Sequence, residues 1–328
     1  MEQDLSPEQA LNWHRAGRGA VLVTVIETWG SAPRVTGSQM TVAGDMAFAG
    51  SVSGGCVEAA VVQEAQEVLR RQRPLVLSYG VSDDDAFAAG LACGGKIRLL
   101  LEPIGPGGME EALLDRLVAA RAARQPIAYH VDLESWQRHL AGPDTATAER
   151  FRLDRSGLEG TAFIAIHNPP TRLFLIGAVQ IAQHLAPMAR AVGHDVWVID
   201  PRPAFASIDR FPGQNVICDW PDKVIGELVP DARTAVVTLS HDAKIDDAAL
   251  LSAFPTPAYY LGCLGSRRTH ADRLARLAAA AVGPGDLARL HGPVGLDIGA
   301  RTPAEIALSI LAEMTESLRC GAQKGGGA

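Results

Sequence analysis

The sequence predicts an α/β protein in two parts. An N-terminal α/β domain is built on a mixed sheet, and a C-terminal domain on a doubly wound, mostly parallel sheet. Three observations lead there. The chain has 328 residues, more than a single hydrophobic core usually serves. Pro169-Pro170 is its clearest linker signal, since proline fixes φ and removes a backbone donor. After those prolines, short apolar runs alternate with helical periodicity in the strand, helix, strand order of a parallel sheet. The expected divisions are an N-terminal domain over 1–105, a connecting segment of short strands over 106–168, the doubly wound domain over 169–320, and a disordered Gly-rich tail over 321–328.

Each element has a local reason. Ser6-Pro7-Glu8-Gln9 opens a short helix, with Ser as cap and Pro in the first turn. Ala20–Glu27 is a Val- and Ile-rich strand, and Ser38–Val42 with Met46–Ser51 forms a hairpin around Ala43-Gly44-Asp45. Glu58–Arg71 has helical periodicity behind Gly54-Gly55, and Leu75–Ser78 and Lys96–Glu102 are strands. Between them runs a loop over 80–95 with the acidic run Asp83-Asp84-Asp85, read as a solvated turn. A helix over Met109–Ala123 follows Pro106-Gly107-Gly108, and Ile127–Asp132, Arg150–Leu153 and Ala162–Ile166 read as short strands. Beyond the linker, Thr171–Ile176, a helix opening at Gly177, and Asp195–Ile199 make a first βαβ unit. Thr234–Leu239 and Ala258–Leu261 are later strands, and Arg267–Ala281 and Thr302–Leu318 are amphipathic helices.

Bulk composition excludes several classes. Hydrophobic residues make up 47% and the formal net charge is −7. No long basic run offsets that charge, which argues against nucleic acid and anionic membrane as partners. The apolar runs Ala20–Ile26 and Leu173–Val179 are too short to cross a bilayer, and the N-terminus lacks a signal-peptide core. Five cysteines, an odd number, fit a reducing compartment, so the expected location is cytoplasmic. No Cys-x-x-Cys or His-x-x-x-His spacing supports a structural zinc site.

The chemistry-bearing motifs lie mainly in loops. Ser53-Gly54-Gly55-Cys56-Val57-Glu58 and Leu91-Ala92-Cys93-Gly94-Gly95-Lys96 each set a cysteine against two glycines. Glycine lets backbone N–H groups approach a ligand, and a thiolate suits a thiophilic metal. Cys56 precedes a helix N-terminus, which favours a thiolate and an anion, and Lys96 follows the second loop. A reduced pair of small buried hydrophobes is the bland alternative. In the second half, Gly177-Ala178-Val179-Gln180-Ile181-Ala182 is a Rossmann-like turn with valine where the dinucleotide fingerprint has its second glycine. Tight nicotinamide dinucleotide binding is therefore not expected, although Asp200 lies near the spacing of a ribose-binding acid. Ser266, Arg267 and Arg268 could cap a helix and hold a phosphate, or simply be a cap with two exposed arginines. His241-Asp242 reads as a hydrogen-bonded loop, and a glycine-rich loop over 291–299 precedes the last helix.

Together these motifs resemble the XdhC/CoxI family, accessory proteins of xanthine dehydrogenase and related molybdenum hydroxylases. The match runs through Gly30-Ser31-Ala32-Pro33-Arg34, Gly50–Glu58 and Gly90–Gly95, then Thr238–Asp242, Tyr260–Arg268, Gly292–Gly299 and Thr302–Ala307. The resemblance implies a chaperone without classical turnover. Such a protein binds molybdenum cofactor, supports its sulfuration by a cysteine desulfurase, and inserts it into apo xanthine dehydrogenase or a related enzyme. Cofactor biosynthesis proteins and a second copy of the chain are further expected partners. The expected cofactor-binding residues are Cys56, Cys93, Gly54, Gly55, Gly94, Gly95, Arg34, Lys96, Arg267 and Arg268, with Cys56 and Cys93 towards the metal. The alternatives are an NAD(P)-dependent oxidoreductase built on the second domain, and a sulfurtransferase carrying persulfide on Cys56 or Cys93.

Overall fold

The structure is a computed structural model and describes residues 4–30, 34–55, 57–80 and 95–320. The chain divides into two compact units that part between Pro169 and Pro170. The fold class is α/β, with antiparallel sheets in the first unit and a parallel six-stranded sheet in the second.

The N-terminal unit is built on β1 (Ala20–Trp29), β2 (Gln39–Ala43), β3 (Phe48–Gly50), β4 (Leu75–Tyr79) and β5 (Lys96–Pro103), in the order β3-β2-β1-β5-β4. Every pairing is antiparallel, so the expected mixed sheet is corrected to an antiparallel one. β1 is a continuous apolar run because both its faces are covered. Val21, Val23 and Val25 pack with Val61, Ala65 and Val68 of α2 (Glu58–Arg71). Leu22 and Ile26 pack with Ala10 and Leu11 of α1 (Ser6–Arg15) and with Leu114 and Leu117 of α3 (Glu111–Ala122). That second core also takes Tyr129, Val131 and Phe163 from a four-stranded antiparallel sheet. The sheet comprises β6 (Ile127–Asp132), β7 (Arg138–Ala141), β8 (Gly157–Glu159) and β9 (Ala162–His167), in the order β7-β6-β9-β8. The segment over 106–168 thus lies in one compact unit with the first sheet and shares its core.

Two local expectations are overturned here. Ser6 does not cap α1: Asp4 Oδ1 accepts the Ser6 N–H at 2.9 Å, and Leu5 is the N-cap. Arg150–Leu153 is not a strand but part of helix α4 (Ala148–Leu153). Asp144 Oδ1 accepts both the N–H and the hydroxyl of Thr147, at 2.8 and 2.7 Å. That side-chain turn starts a helix where alternation alone suggested extended chain.

The C-terminal unit contains β10 (Arg172–Ile176), α5 (Gln180–Ala191), β11 (Asp195–Ile199), β12 (Asn215–Ile217), α6 (Pro221–Leu228) and β13 (Thr234–Thr238). It continues with α7 (Ala243–Ala253), β14 (Tyr260–Cys263), α8 (Arg267–Ala279), α9 (Pro284–Leu287), β15 (Leu290–His291) and α10 (Pro303–Cys320). Strand order is β12-β11-β10-β13-β14-β15, parallel throughout. Leu173 and Leu175 face α5 and α10, and Phe174 and Ile176 face α6 and α7. This is the two-sided wrapping that a parallel sheet requires. β14 begins and ends two residues later than the sequence suggested, which puts Cys263 in the strand and fully buried. Burial pushes its thiol up to about 12, so Cys263 is a core residue. Among the described residues, no helix is long and apolar enough to cross a membrane.

Candidate functional site

Strand register decides where the N-terminal motif loops lie. Trp29 at the end of β1 pairs with Lys96 at the start of β5, and Tyr79 at the end of β4 pairs with Ile97. Met40 at the start of β2 pairs with Gly50 at the end of β3. In an antiparallel sheet these positions form one end. The ends of β1, β3 and β4 and the starts of β2 and β5 therefore all lie at the same end of the five-stranded sheet. Arg34, Gly54, Gly55 and Lys96 are exposed there, and Gly95 is buried. Cys56, Cys93 and Gly94, all expected at the cofactor site, lie outside the described residues.

The loop before α2 is organised by a residue whose role the motif alone does not disclose. Glu58 is buried, and its Oε1 accepts the N–H groups of Val52 and Ser53 at 3.2 and 2.9 Å and the Ser51 hydroxyl at 2.6 Å. Its Oε2 accepts the N–H groups of Gly55 and Val57 at 2.9 and 3.2 Å, and a short bond from the Ser53 hydroxyl. Burial raises the carboxyl pKa, but the bonds from Ser51, Ser53 and the backbone outweigh it and hold the group at about 2. The sequence reading turned the amides around Gly54-Gly55 towards a bound anion. The structure turns those of residues 52, 53, 55 and 57 onto an internal carboxylate. The residues flanking position 56 are thereby pinned, and the start of α2 already carries its anion.

In the C-terminal unit, the loops after β10 and β13 meet at the point where strand order reverses. Gly177 has φ +102, and a Cβ there would lie 2.7 Å from Ser240 N, so these backbones touch. Asp200, the candidate ribose-binding acid, is fully buried and accepts the Ala178 N–H at 2.8 Å. It also accepts Arg202 N and Nε, both at 2.9 Å, and Arg202 Nη2 at 2.7 Å. The acid is thus spent on its own turn. Asp242 is the side-chain cap of α7, accepting from Lys244 N at 2.9 Å, and does not pair with His241 for acid–base work.

A cavity of about 750 Å³ opens at the carboxyl ends of β14 and β15. Its walls include Leu264, Val294 and Ile306, together with Arg267, His291 and Glu313. Ser266 caps α8 by accepting from Thr269 N at 3.1 Å. Arg267 and Arg268 are both exposed, and of the two only Arg267 lines the cavity. Glu313 on α10 is buried and was not among the expected site residues. The signal was present: an acid among Ala307, Ile310, Leu311 and Met314, on the buried face of an amphipathic helix. Among the described residues, no group of three or more His, Cys, Asp and Glu side chains is placed to hold a metal ion.

Comparison with known proteins agrees with this architecture. Residues 173–314 match the XdhC Rossmann domain, and residues 13–80 match the XdhC and CoxI family. The chain is 34% identical to the Escherichia coli molybdenum cofactor insertion chaperone PaoD, over 91% of this chain and 83% of that protein. It is 29% identical to a Bacillus subtilis protein described as a probable xanthine dehydrogenase subunit, over 91% and 93%. A crystal structure from Bacillus halodurans, described as a xanthine dehydrogenase, superposes with a TM-score of 0.67 at 27% identity, covering 98% of each chain. The chain belongs to the XdhC and CoxI family.

Proposed function

We propose that this chain is a molybdenum cofactor chaperone. It binds the cofactor as cargo, supports its sulfuration by a cysteine desulfurase, and inserts it into an apo xanthine dehydrogenase or related molybdenum hydroxylase. What supports the reading is the register of the first sheet, which sets at one end the ends of β1, β3 and β4 and the starts of β2 and β5, the strands that the Arg34, Cys56 and Cys93–Lys96 segments follow or precede in sequence. That donor set fits the cargo: soft sulfur for the molybdenum, and the cations Arg34 and Lys96 for the phosphate. Glu58 contributes by fixing Gly55 and Val57, the neighbours of Cys56. Gly54, Gly55, Gly94 and Gly95 allow close approach of the loops to the cargo. The reading includes a cytoplasmic homodimer and no turnover by the chain itself.

The test is cofactor retention. The full chain is purified from cells that make the cofactor, and bound molybdenum and the oxidised pterin's fluorescence are measured. Cys56→Ser and Cys93→Ser, folded by circular dichroism, are expected to retain at least tenfold less of both. A co-expressed apo xanthine dehydrogenase is expected to gain activity only with the wild-type chain. Equal retention by both variants and the wild type overturns the role of the thiols.

A further inference from the structure

The cavity in the C-terminal unit contains a built cluster that the reading above does not use. Glu313 Oε2 accepts the Tyr260 hydroxyl and the Gly295 N–H, both at 2.7 Å. Its Oε1 lies 3.1 Å from His291 Nδ1. Burial opposes the charge on Glu313, but bonds from His291, Tyr260 and Gly295 outweigh it and hold the carboxyl at about 2. An ionised carboxylate has no proton to give, so His291 Nδ1 carries the hydrogen and donates. The Tyr260 ring lies against the imidazole, with centroids 4.4 Å apart. Both contacts fix the ring's orientation, and in the neutral imidazole with its hydrogen on Nδ1 the acceptor is Nε2. Gly295 makes this possible: its φ is +97, and a Cβ there would meet Ser309 Oγ at 2.4 Å. A side chain at this positive φ is strained, so glycine suits the turn that aims this N–H at Glu313.

We propose that this cavity is a binding site for a phosphorylated heterocycle, in which Arg267 pairs with the phosphate and His291 Nε2 accepts from a ring N–H or a sugar hydroxyl. Glu313 and Tyr260 are positioning residues. The chemistry follows from the lining. One guanidinium gives bidentate recognition of phosphate. A supported imidazole acceptor selects a donor on the ligand. Leu264, Val294 and Ile306 in the lining and a volume of about 750 Å³ suit a planar ring system. The site sits beside β14 and β15, away from the Gly177 turn, so neither Val179 nor the commitment of Asp200 obstructs it. Two sources share this chemistry: a free nucleotide, and the pterin phosphate of the cargo. The inference stands on residues that the cysteine loops do not include.

Calorimetry on the full chain with AMP, CMP, GMP and inorganic phosphate separates the sources, with a second arm using molybdenum cofactor released from a purified enzyme. A mononucleotide that binds at least tenfold more tightly than inorganic phosphate, and is weakened tenfold or more by Arg267→Ala and His291→Gln, identifies the free nucleotide. If only the released cofactor binds, with the same sensitivity, the site belongs to the cargo. Arg267 is exposed and its variant is expected to fold, so it decides the result if His291→Gln does not fold. Nitrogen-15 NMR of His291 is expected to report the Nδ1–H tautomer, and Glu313→Gln to mix the two tautomers. The inference is overturned if no probe exceeds inorganic phosphate, if Arg267→Ala binds every probe as the wild type does, or if Nε2 carries the hydrogen. Cys56→Ser is expected to leave mononucleotide binding unchanged, so failure here and failure of the cargo reading remain distinct.

Discussion

Glu58 and Glu313 are both buried acids on helices; Glu58 accepts from four backbone N–H groups and Glu313 from that of Gly295. Their consequences follow from the sign of the pKa shift. For Glu58 the folded value of about 2 lies below the ordinary 4.5. Its contribution to stability is therefore complete above about pH 4.5 and is lost as pH falls towards 2. Glu58→Gln removes one acceptor oxygen and places an amide N–H₂ against backbone donors. Leaving such donors unmet costs about 1–3 kcal/mol each. The expected outcome is a fall of several degrees in the thermal transition at pH 7, with a shallower acid dependence than wild type between pH 4.5 and 2. Thermal unfolding of both proteins across that range checks it, and parallel pH profiles would show that Glu58 does not hold the loop. The sequence made the Gly-Gly-Cys loop visible as a motif, but not the direction of its N–H groups. Acids are common in the first turn of a helix, and only the folded backbone shows that this one turns back onto the loop.

At the scale of elements, periodicity made most helices and long strands legible, because a two-sided core writes itself as continuous apolar runs in β1, β10 and β13. The short edge strands β7, β8, β12 and β15 were missed, since two to four residues carry too little pattern. The strand–turn–helix at Gly177 is legible, and the sequence attributes its doubtful dinucleotide binding to Val179 alone. Val179 is the visible departure from the fingerprint. The structure adds a second obstacle: Asp200 already accepts the Ala178 N–H and three bonds from Arg202, and Gly177 lies against Ser240. Restoring the glycine therefore leaves the pyrophosphate short of one turn N–H and the ribose without its acid. Val179→Gly is expected to gain no measurable affinity for NAD or NADP in calorimetry. Micromolar binding by that variant would show that the valine side chain alone closes the turn.

At the scale of the whole molecule, the five buried clusters fall cleanly into two sets. Those around β1, β5 and β6 draw on residues up to Ile166, and those around β10 and β13 draw on residues from Leu173 onward. Among the described residues, no cluster takes residues from both sides of Pro169-Pro170. Each unit thus buries its own apolar surface, which is the physical condition for folding alone. The chain cut between Pro169 and Pro170 is expected to give two soluble fragments, each with a cooperative thermal transition. The two candidate sites divide in the same way: the cysteine loops lie before the cut, and Arg267, His291 and Glu313 after it. The C-terminal fragment should therefore bind any mononucleotide that the full chain binds, within about threefold, and Arg267→Ala should weaken that binding tenfold or more, as expected for the intact protein. The N-terminal fragment should bind none. An aggregated C-terminal fragment, or one that folds without binding what the full chain binds, would mean that the cavity depends on residues before Pro170, and that the two compact units are one functional body.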